Sequence, residues 1–181
     1  MRGLAGKGVL ISGGSSGIGL AAAQRFLEEG SRVFLAGLRK HGEVSGLACD
    51  VSQEAEVARL AAAAEAALSG VDVLANNAGT SRRAAFLEIT AAEWDRIIAV
   101  NLRGMFLVAR AVTAQMARRG TGGVVINMSS TNGIAGEEDY AHYNASKGRP
   151  AVDQDHGGPI PAVRRTCVPR RRRGRPHPPP G

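Results

Sequence analysis

Tyr143 and Lys147 stand four residues apart in Tyr-Asn-Ala-Ser-Lys, a spacing that sets a phenol beside an ammonium on one face of a helix. A free tyrosine ionises at about pH 10 and is a poor base at neutrality. A neighbouring cation favours the phenolate and draws that ionisation toward working pH. The bland alternative, an exposed helix face, is the commoner meaning of an isolated Tyr-x-x-x-Lys. Tyr140 has Asn144 at i+4 in place of a cation, so packing is its expected role. Ser130 lies thirteen residues before Tyr143 and closes the apolar run Val124–Met128. A hydroxyl at such a place reaches the crevice beyond a strand end and can bond a substrate oxygen, or it caps a turn. Ser129 faces the other way if the strand alternation continues.

A second group of residues suits phosphate rather than proton chemistry. Ser12 to Gly19 reads S-G-G-S-S-G-I-G, after the apolar run Val9-Leu10-Ile11 and before a helical stretch. In a strand–turn–helix arrangement the turn's backbone N–H groups and the positive helix end face an anion that no side chain keeps away. Gly13 is expected to take a sharp turn, Gly17 to admit close approach, and Gly19 to let helix and strand pack. Ser12, Ser15, Ser16 and Ile18 complete the candidate contacts. Asp50 follows a short apolar run and either accepts a bond from a base amino group or caps a turn; Val51 follows it. Asn77, Ala78 and Gly79 end a strand with amide and small side chains, which suits a ribose or a neighbouring strand, and equally a plain turn. Asn101, between Val100 and Leu102, sits mid-helix against its propensity and points to a helix irregularity or a bound water. The four histidines are scattered without metal-ligand spacing, and no Gly-Lys-Ser/Thr follows the glycine turn, which argues against a nucleotide-triphosphate hydrolase.

The elements that must hold these groups alternate. A helix runs from the glycine turn to Glu29 with Gly30 at its C-terminal end, then an apolar strand at Arg32–Ala36 and a shorter one at 47–49, joined by a connection too short for a full crossover helix. Ser52 is expected to cap a helix whose core stripe is Val57, Leu60, Ala61, Ala64 and Leu68. A strand follows at Val71–Ala75. Thr90 and Glu93 read as a capping box, with helix from there and again from Met105 to Arg118, before the strand Val124–Met128. Uniformly apolar strands between helices indicate an α/β parallel sheet covered on both faces, with ligand beyond the strands' carboxyl ends.

The chain of 181 residues has length for one domain. Its net charge of +7 would suggest nucleic acid, but the distribution argues otherwise. Residues 148–181 hold eight arginines against Asp153 and Asp155, which leaves +1 for the preceding 147 residues, and all eight prolines lie after Lys147. A near-neutral body, residues 1–148, is therefore joined to a basic Arg/Pro/Gly tail, 149–181, expected to be disordered. No membrane span or signal segment is expected, and Cys49 and Cys167 carry no redox or metal spacing, so a cytoplasmic setting is expected.

Together these residues resemble the short-chain dehydrogenase/reductase family. The matching set is S-G-G-S-S-G-I-G, Asp50-Val51, N-N-A-G, Asn101, Ser130 and Y-N-A-S-K, in the family's order and spacing over residues 7 to about 148. The resemblance implies a Rossmann-like doubly wound sheet and an NAD(P)-dependent oxidoreductase acting on a small carbonyl or alcohol substrate. It implies Tyr143 as acid/base, Lys147 lowering its pKa and bonding the nicotinamide ribose, Ser130 orienting the substrate, and Asn101 holding a water in the proton relay. It also implies a homo-oligomer for an intact member. Family members that prefer NAD usually carry Asp at the end of the second strand; here Gly37 stands there, followed by Leu38, Arg39 and Lys40. NADP is therefore favoured over NAD, with Arg39 as the candidate contact.

After Lys147-Gly148 the family pattern stops. The family continues the helix and adds two strands with a substrate lid; this chain gives Arg149-Pro150 and the basic run. Codons for Val152–Thr166 can be chosen so that reading one base later yields LTKTMAVQYRPYGVR, a family-like continuation, so a reading-frame shift in a GC-rich gene is favoured over a nucleic-acid-binding arm. A chain without those last strands is expected to leave one sheet edge open and to be poorly stable and largely inactive. A silent dinucleotide-binding module is the other function considered.

Overall fold

The computed structural model describes residues 3–37, 44–148 and the backbone of 166–167. The expectations for Arg39 and its neighbours, for Pro150 and for the rest of the basic tail lie outside the described residues.

Six strands make one parallel sheet: β1 (Gly8–Ser12), β2 (Arg32–Gly37), β3 (Gly46–Ala48), β4 (Val73–Asn76), β5 (Val124–Met128) and β6 (Thr166–Cys167), in spatial order β3-β2-β1-β4-β5-β6. The progression of strand order switches sides between β1 and β4, which run parallel with their ends Ser12 and Asn76 in register. That is the place where an open α/β sheet offers a crevice. The helices are α1 (Gly17–Glu28), α2 (Glu54–Leu68), α3 (Ala91–Ile98), α4 (Met105–Arg119) and α5 (Ala141–Lys147).

Two apolar cores sandwich the sheet. On one face Leu10, Phe34 and Leu74 meet Val57, Leu60 and Ala64 of α2 and Leu107, Val108, Val112 and Met116 of α4. On the other, Val9, Ile11, Val33, Leu35 and Val73 meet Ala23 and Phe26 of α1. Alternate residues of each strand therefore go to opposite cores, as period-two side-chain direction demands.

Coverage of β5 departs from the expectation of a strand buried on both faces. Val125 is buried beneath α4, whereas Val124 is exposed and Ile126 and Met128 are half-buried. Among the described residues α1 is the helix whose residues join the apolar cluster on that face, beside Val44, and most of the strand residues there lie on β1 and β2. The open edge expected beyond β5 is also corrected in part, because β6 pairs in parallel with Asn127 and Met128.

Local signals fared unevenly. Gly30, at φ +80°, turns the chain out of α1, and Ser31 N–H closes back on Phe26 O, a Schellman-type ending. The N-cap of α2 is Gln53, not Ser52, and carries no side-chain capping bond. The Ser52 hydroxyl is drawn instead to Asp50 Oδ1 at 2.8 Å. Thr90 does cap α3 through Glu93 N–H, but the Glu93 carboxylate turns away to Arg82, so the reciprocal half of the box is missing.

From Ala91 to Arg119 the chain is helical for 29 residues, long and apolar enough by those measures alone to cross a membrane. Here its apolar stripe, from Ile97 to Met116, is buried in the core. Between α3 and α4, residues Ala99–Gly104 widen into a π-helical stretch that contains Asn101. Such bulges expose a backbone or side-chain group that a regular helix would hide.

Candidate active site

The strand ends open into a cleft of about 740 Å³, lined by the glycine turn, the ends of β2 and β4, residues 49–52 and one face of the helix around Ala99. Gly13, at φ +66°, passes so close to the β4 extension that a Cβ would stand 2.7 Å from Ala78 Cα. Gly17, at φ +53°, lines the cleft and has open space where a Cβ would project. Gly19 lies under the turn: its Cβ would come 2.2 Å from Gly13 O. Ser16 is the N-cap of α1 in extended backbone and makes no side-chain capping bond, so no cap stands between the first N–H groups of α1 and the cleft. Ser15 and Ile18 also line it.

Ser12 is placed differently. Its hydroxyl is fully buried, donates to Asn76 Oδ1 at 3.1 Å and accepts the N–H groups of Asn77 and Ala78. It stitches β1 to the end of β4 and does not line the cleft. Asn76 donates onward to Met105 O, and Asn77 to Gly13 O at 3.0 Å. The Asn-Asn-Ala-Gly segment thus braces the glycine turn, while Asn77, Ala78 and Gly79 present a cleft wall.

Asp50 and Val51 line the adjoining wall. Asp50 Oδ1 accepts both the N–H and the hydroxyl of Ser52, a turn-capping role. The neighbouring Cys49 thiol is pushed up to about 11, first by burial and then by the charges of Glu56 and Asp50, so it stays protonated and unreactive at neutral pH. Gly37 closes β2 against Ser15: a Cβ there would stand 2.8 Å from Ser15 Oγ. This strand end therefore carries no carboxylate and places the Ser15 hydroxyl beside it.

Sequence reasoning missed Arg96, Thr80, Ala99 and Val100, which also line the cleft. Ala99 and Val100 adjoin Asn101, and Arg96 falls one turn earlier on the same helix face, a period-3.6 signal that could have found them. Arg96 reaches the Thr80 hydroxyl at 3.4 Å.

The catalytic candidates stand on three elements: α5, the turn after β5 and the π-helical stretch. On α5, Lys147 is buried and its Nζ donates to Met128 O at 3.0 Å. The same Nζ lies 5.8 Å from the centre of the Tyr143 ring. It also lies 3.5 Å from where a Cβ of Gly79 would stand, at the rim of the cleft. Tyr143 is half-buried, with Tyr140 edge-on to it at 6.0 Å. Ser130 caps a 3-10 turn, accepting from Asn132 N–H and donating to Asn132 Oδ1 at 3.0 Å. Ser129 faces inward and donates to Lys147 O. Asn101 is fully buried: its Oδ1 accepts Thr80 N–H at 2.7 Å, and its Nδ2 donates to Thr80 O and to Ser146 Oγ. The π-helical stretch thereby ties the β4 extension to α5. Asn101→Leu would remove those three bonds, the one to Ser146 fully buried and the two to Thr80 part-buried, and is expected to cost about 2 kcal/mol of stability, read as a lower urea midpoint.

Burial pushes the Lys147 amine below its usual range. The unfolded chain then holds that proton more tightly than the folded one. Between the lowered folded value and the unfolded value of 10.5, stability accordingly rises with pH, and below that window the penalty is fully present. Lys147→Met should remove this slope and raise the urea midpoint at neutral pH; a lower midpoint would contradict it.

The family model for short chain dehydrogenase matches residues 7–151. The chain belongs to that family. Its relatives include an NADP-dependent (R)-specific alcohol dehydrogenase of Lentilactobacillus kefiri, 36% identical over 159 residues, covering 80% of this chain and 62% of the relative. A D-threitol dehydrogenase of Mycolicibacterium smegmatis is 34% identical over 157 residues, with 80% and 60% covered. Among solved structures, NAD+-bound xylitol dehydrogenase superposes with a TM-score of 0.76 at 29% identity, covering 81% of this chain and 62% of that one. The chain thus spans about three fifths of the length of the relatives it matches. For a short-chain dehydrogenase the cleft has the donor set a dinucleotide needs: a turn with room only for glycine at Gly13, open space at Gly17, and the uncapped start of α1.

Proposed function

We propose that this chain is the cofactor-binding and proton-handling part of an NAD(P)-dependent oxidoreductase acting on a carbonyl or alcohol substrate. The observation that carries the reading is the continuity of the cleft from Gly13 and Gly17 to Gly79, with Lys147 Nζ at its rim and Tyr143 beside it. When bound, the nicotinamide cofactor supplies or accepts the hydride. The glycine turn and the first turn of α1 hold the diphosphate, and Lys147, at the Gly79 end, bonds the ribose. Tyr143 gives its phenolic proton to the substrate oxygen in reduction and takes it back in oxidation. Lys147 stabilises the phenolate left behind, and Ser130 positions the oxygen through a hydroxyl that swings from Asn132. Asn101 acts by fixing the Thr80 segment and Ser146 of α5.

NADP is the favoured cofactor, because Gly37 and Ser15 place no carboxylate at the β2 end to repel a 2′-phosphate and Arg39 and Lys40 follow it in sequence. In an intact member, not in this chain as it stands, exposed Leu102 and Phe106, with Arg110 over the Phe106 ring at 5.6 Å, are the surface proposed to join a second copy. Residues 1–148 form the catalytic domain in this reading, and 149–181 a frame-shifted tail that leaves turnover low. The test is absorbance-monitored oxidation of NADPH and of NADH with a panel of aldehydes and ketones at high protein concentration. Slow, NADPH-preferring turnover is expected. A clear NADH preference would overturn the cofactor choice, and cofactor binding without any turnover would leave a silent binding module.

A further inference from the structure

His142, the residue before Tyr143, is fully buried, yet neither ring nitrogen has a hydrogen-bond partner. Its Nε2 lies 3.8 Å from Glu93 Oε1, which is also buried and unpartnered. Of the four buried side-chain polar atoms without a partner among the described residues, three belong to this one pair. Leaving such groups unpaired is expensive, and they face each other across the contact between α3 and α5. Closing the gap by about 1 Å makes a charge-assisted bond. Glu93 is itself oriented from the far side: its Oε2 holds Arg82 at 3.2 Å, and its N–H is fixed by Thr90.

We propose that His142 is a positioning residue whose Nε2–H donates to Glu93 Oε1, so that the chain Arg82–Glu93–His142 clamps the first turn of α5, and with it Tyr143 and Lys147, against α3. The C-terminal end of α5 is already held by Asn101 on Ser146 and by Met128 and Ser129 on Lys147. Asn144 is spent on the 132–137 loop, which it grips through Asn132 and Glu137. Just ahead of the helix, Asp139 O accepts Ala84 N–H and its carboxylate pairs with Arg83; within the first turn itself, the His142–Glu93 contact is the polar link to α3. A helix of seven residues fixed at one end only would fray from the other, and the phenol sits at the end that would fray. The functional half of this inference rests on the reading of α5 as the carrier of the acid/base pair; the clamp itself does not.

The experiment is amide hydrogen exchange on the full chain without cofactor, comparing His142→Leu with His142→Gln, whose amide donor reaches about as far as imidazole Nε2. His142→Leu is expected to speed exchange of residues 143–147 about tenfold while β1 and α2 keep their protection. His142→Gln should restore protection to within about threefold. NADPH titration of the same proteins should show affinity lost in the leucine variant and recovered in the glutamine variant. A leucine variant that exchanges like the parent would overturn the clamp, as would a glutamine variant that behaves like leucine. Failure of the parent to bind NADPH would refute the proposed function, with the exchange comparison still deciding the clamp.

Discussion

Gly13→Val is expected to lower affinity for NADPH at least about a hundredfold, equivalent to about 2.8 kcal/mol. Two separate costs fall on that one side chain. A β-branched residue at φ +66° is strained by about 1–2 kcal/mol before it touches anything. Its Cβ then stands 2.7 Å from Ala78 Cα and 2.9 Å from Ala78 N, both backbone atoms pinned by the Ser12 hydroxyl. Relief requires the glycine turn to lift away from the β4 extension, which would distort the proposed diphosphate seat. Since the valine variant risks misfolding, Gly17→Ala makes the same point more gently. Its backbone, at φ +53°, also disfavours a side chain, but no atom lies in the way. The variant should therefore fold, at a cost of about 1 kcal/mol, and put a methyl group into the cleft, weakening NADPH about tenfold. Gly120→Ala is the control: φ is +65° with open space, at the far end of α4. It should lose comparable stability and no affinity. If Gly17→Ala and Gly120→Ala bind NADPH equally well, the glycine turn is not the seat.

Tyr143→Phe is the second large effect. Removing the phenolic oxygen deletes the group assigned to the proton while leaving the ring against Tyr140 and beneath the Lys147 ammonium. Loss of a positioned acid/base costs about 10²–10⁴ in rate. NADPH affinity should stay within about threefold, since no contact of the glycine turn or of the Gly79 wall involves that oxygen. The split between rate and affinity carries the prediction: a variant that turns over at the parental rate removes Tyr143 from the chemistry, and one that loses affinity and rate together has a damaged fold instead. Tyr140→Phe should leave both quantities unchanged.

Much of this fold was legible because its signals are local. The apolar runs of β1, β2, β4 and β5, the stripe of α2 and the glycine ending of α1 each state their own structure. Asn101 was legible in a different sense: an amide at mid-helix was a local contradiction, and the π-helical stretch with its grip on Thr80 and Ser146 resolves it. What the sequence hid was partnership over distance. Ser12 reads as part of a phosphate loop, yet its hydroxyl is spent on a strand end 64 residues away. Ser52 reads as a cap and was drawn to Asp50 instead. Glu93 reads as half of a capping box, and only the fold brings Arg82 and His142 to its two oxygens. The half-covered face of β5 was hidden as well, since coverage depends on which helices arrive, not on the strand's own residues.

Calorimetric titration of the purified 181-residue chain with NADPH decides whether the cleft between Gly13 and Gly79 seats a nicotinamide dinucleotide, as proposed. Saturable binding at one site per chain is expected, with an affinity that drops in Gly17→Ala and persists in Gly120→Ala. Absence of saturable binding of both NADPH and NADH by a chain shown to be folded would contradict the proposal.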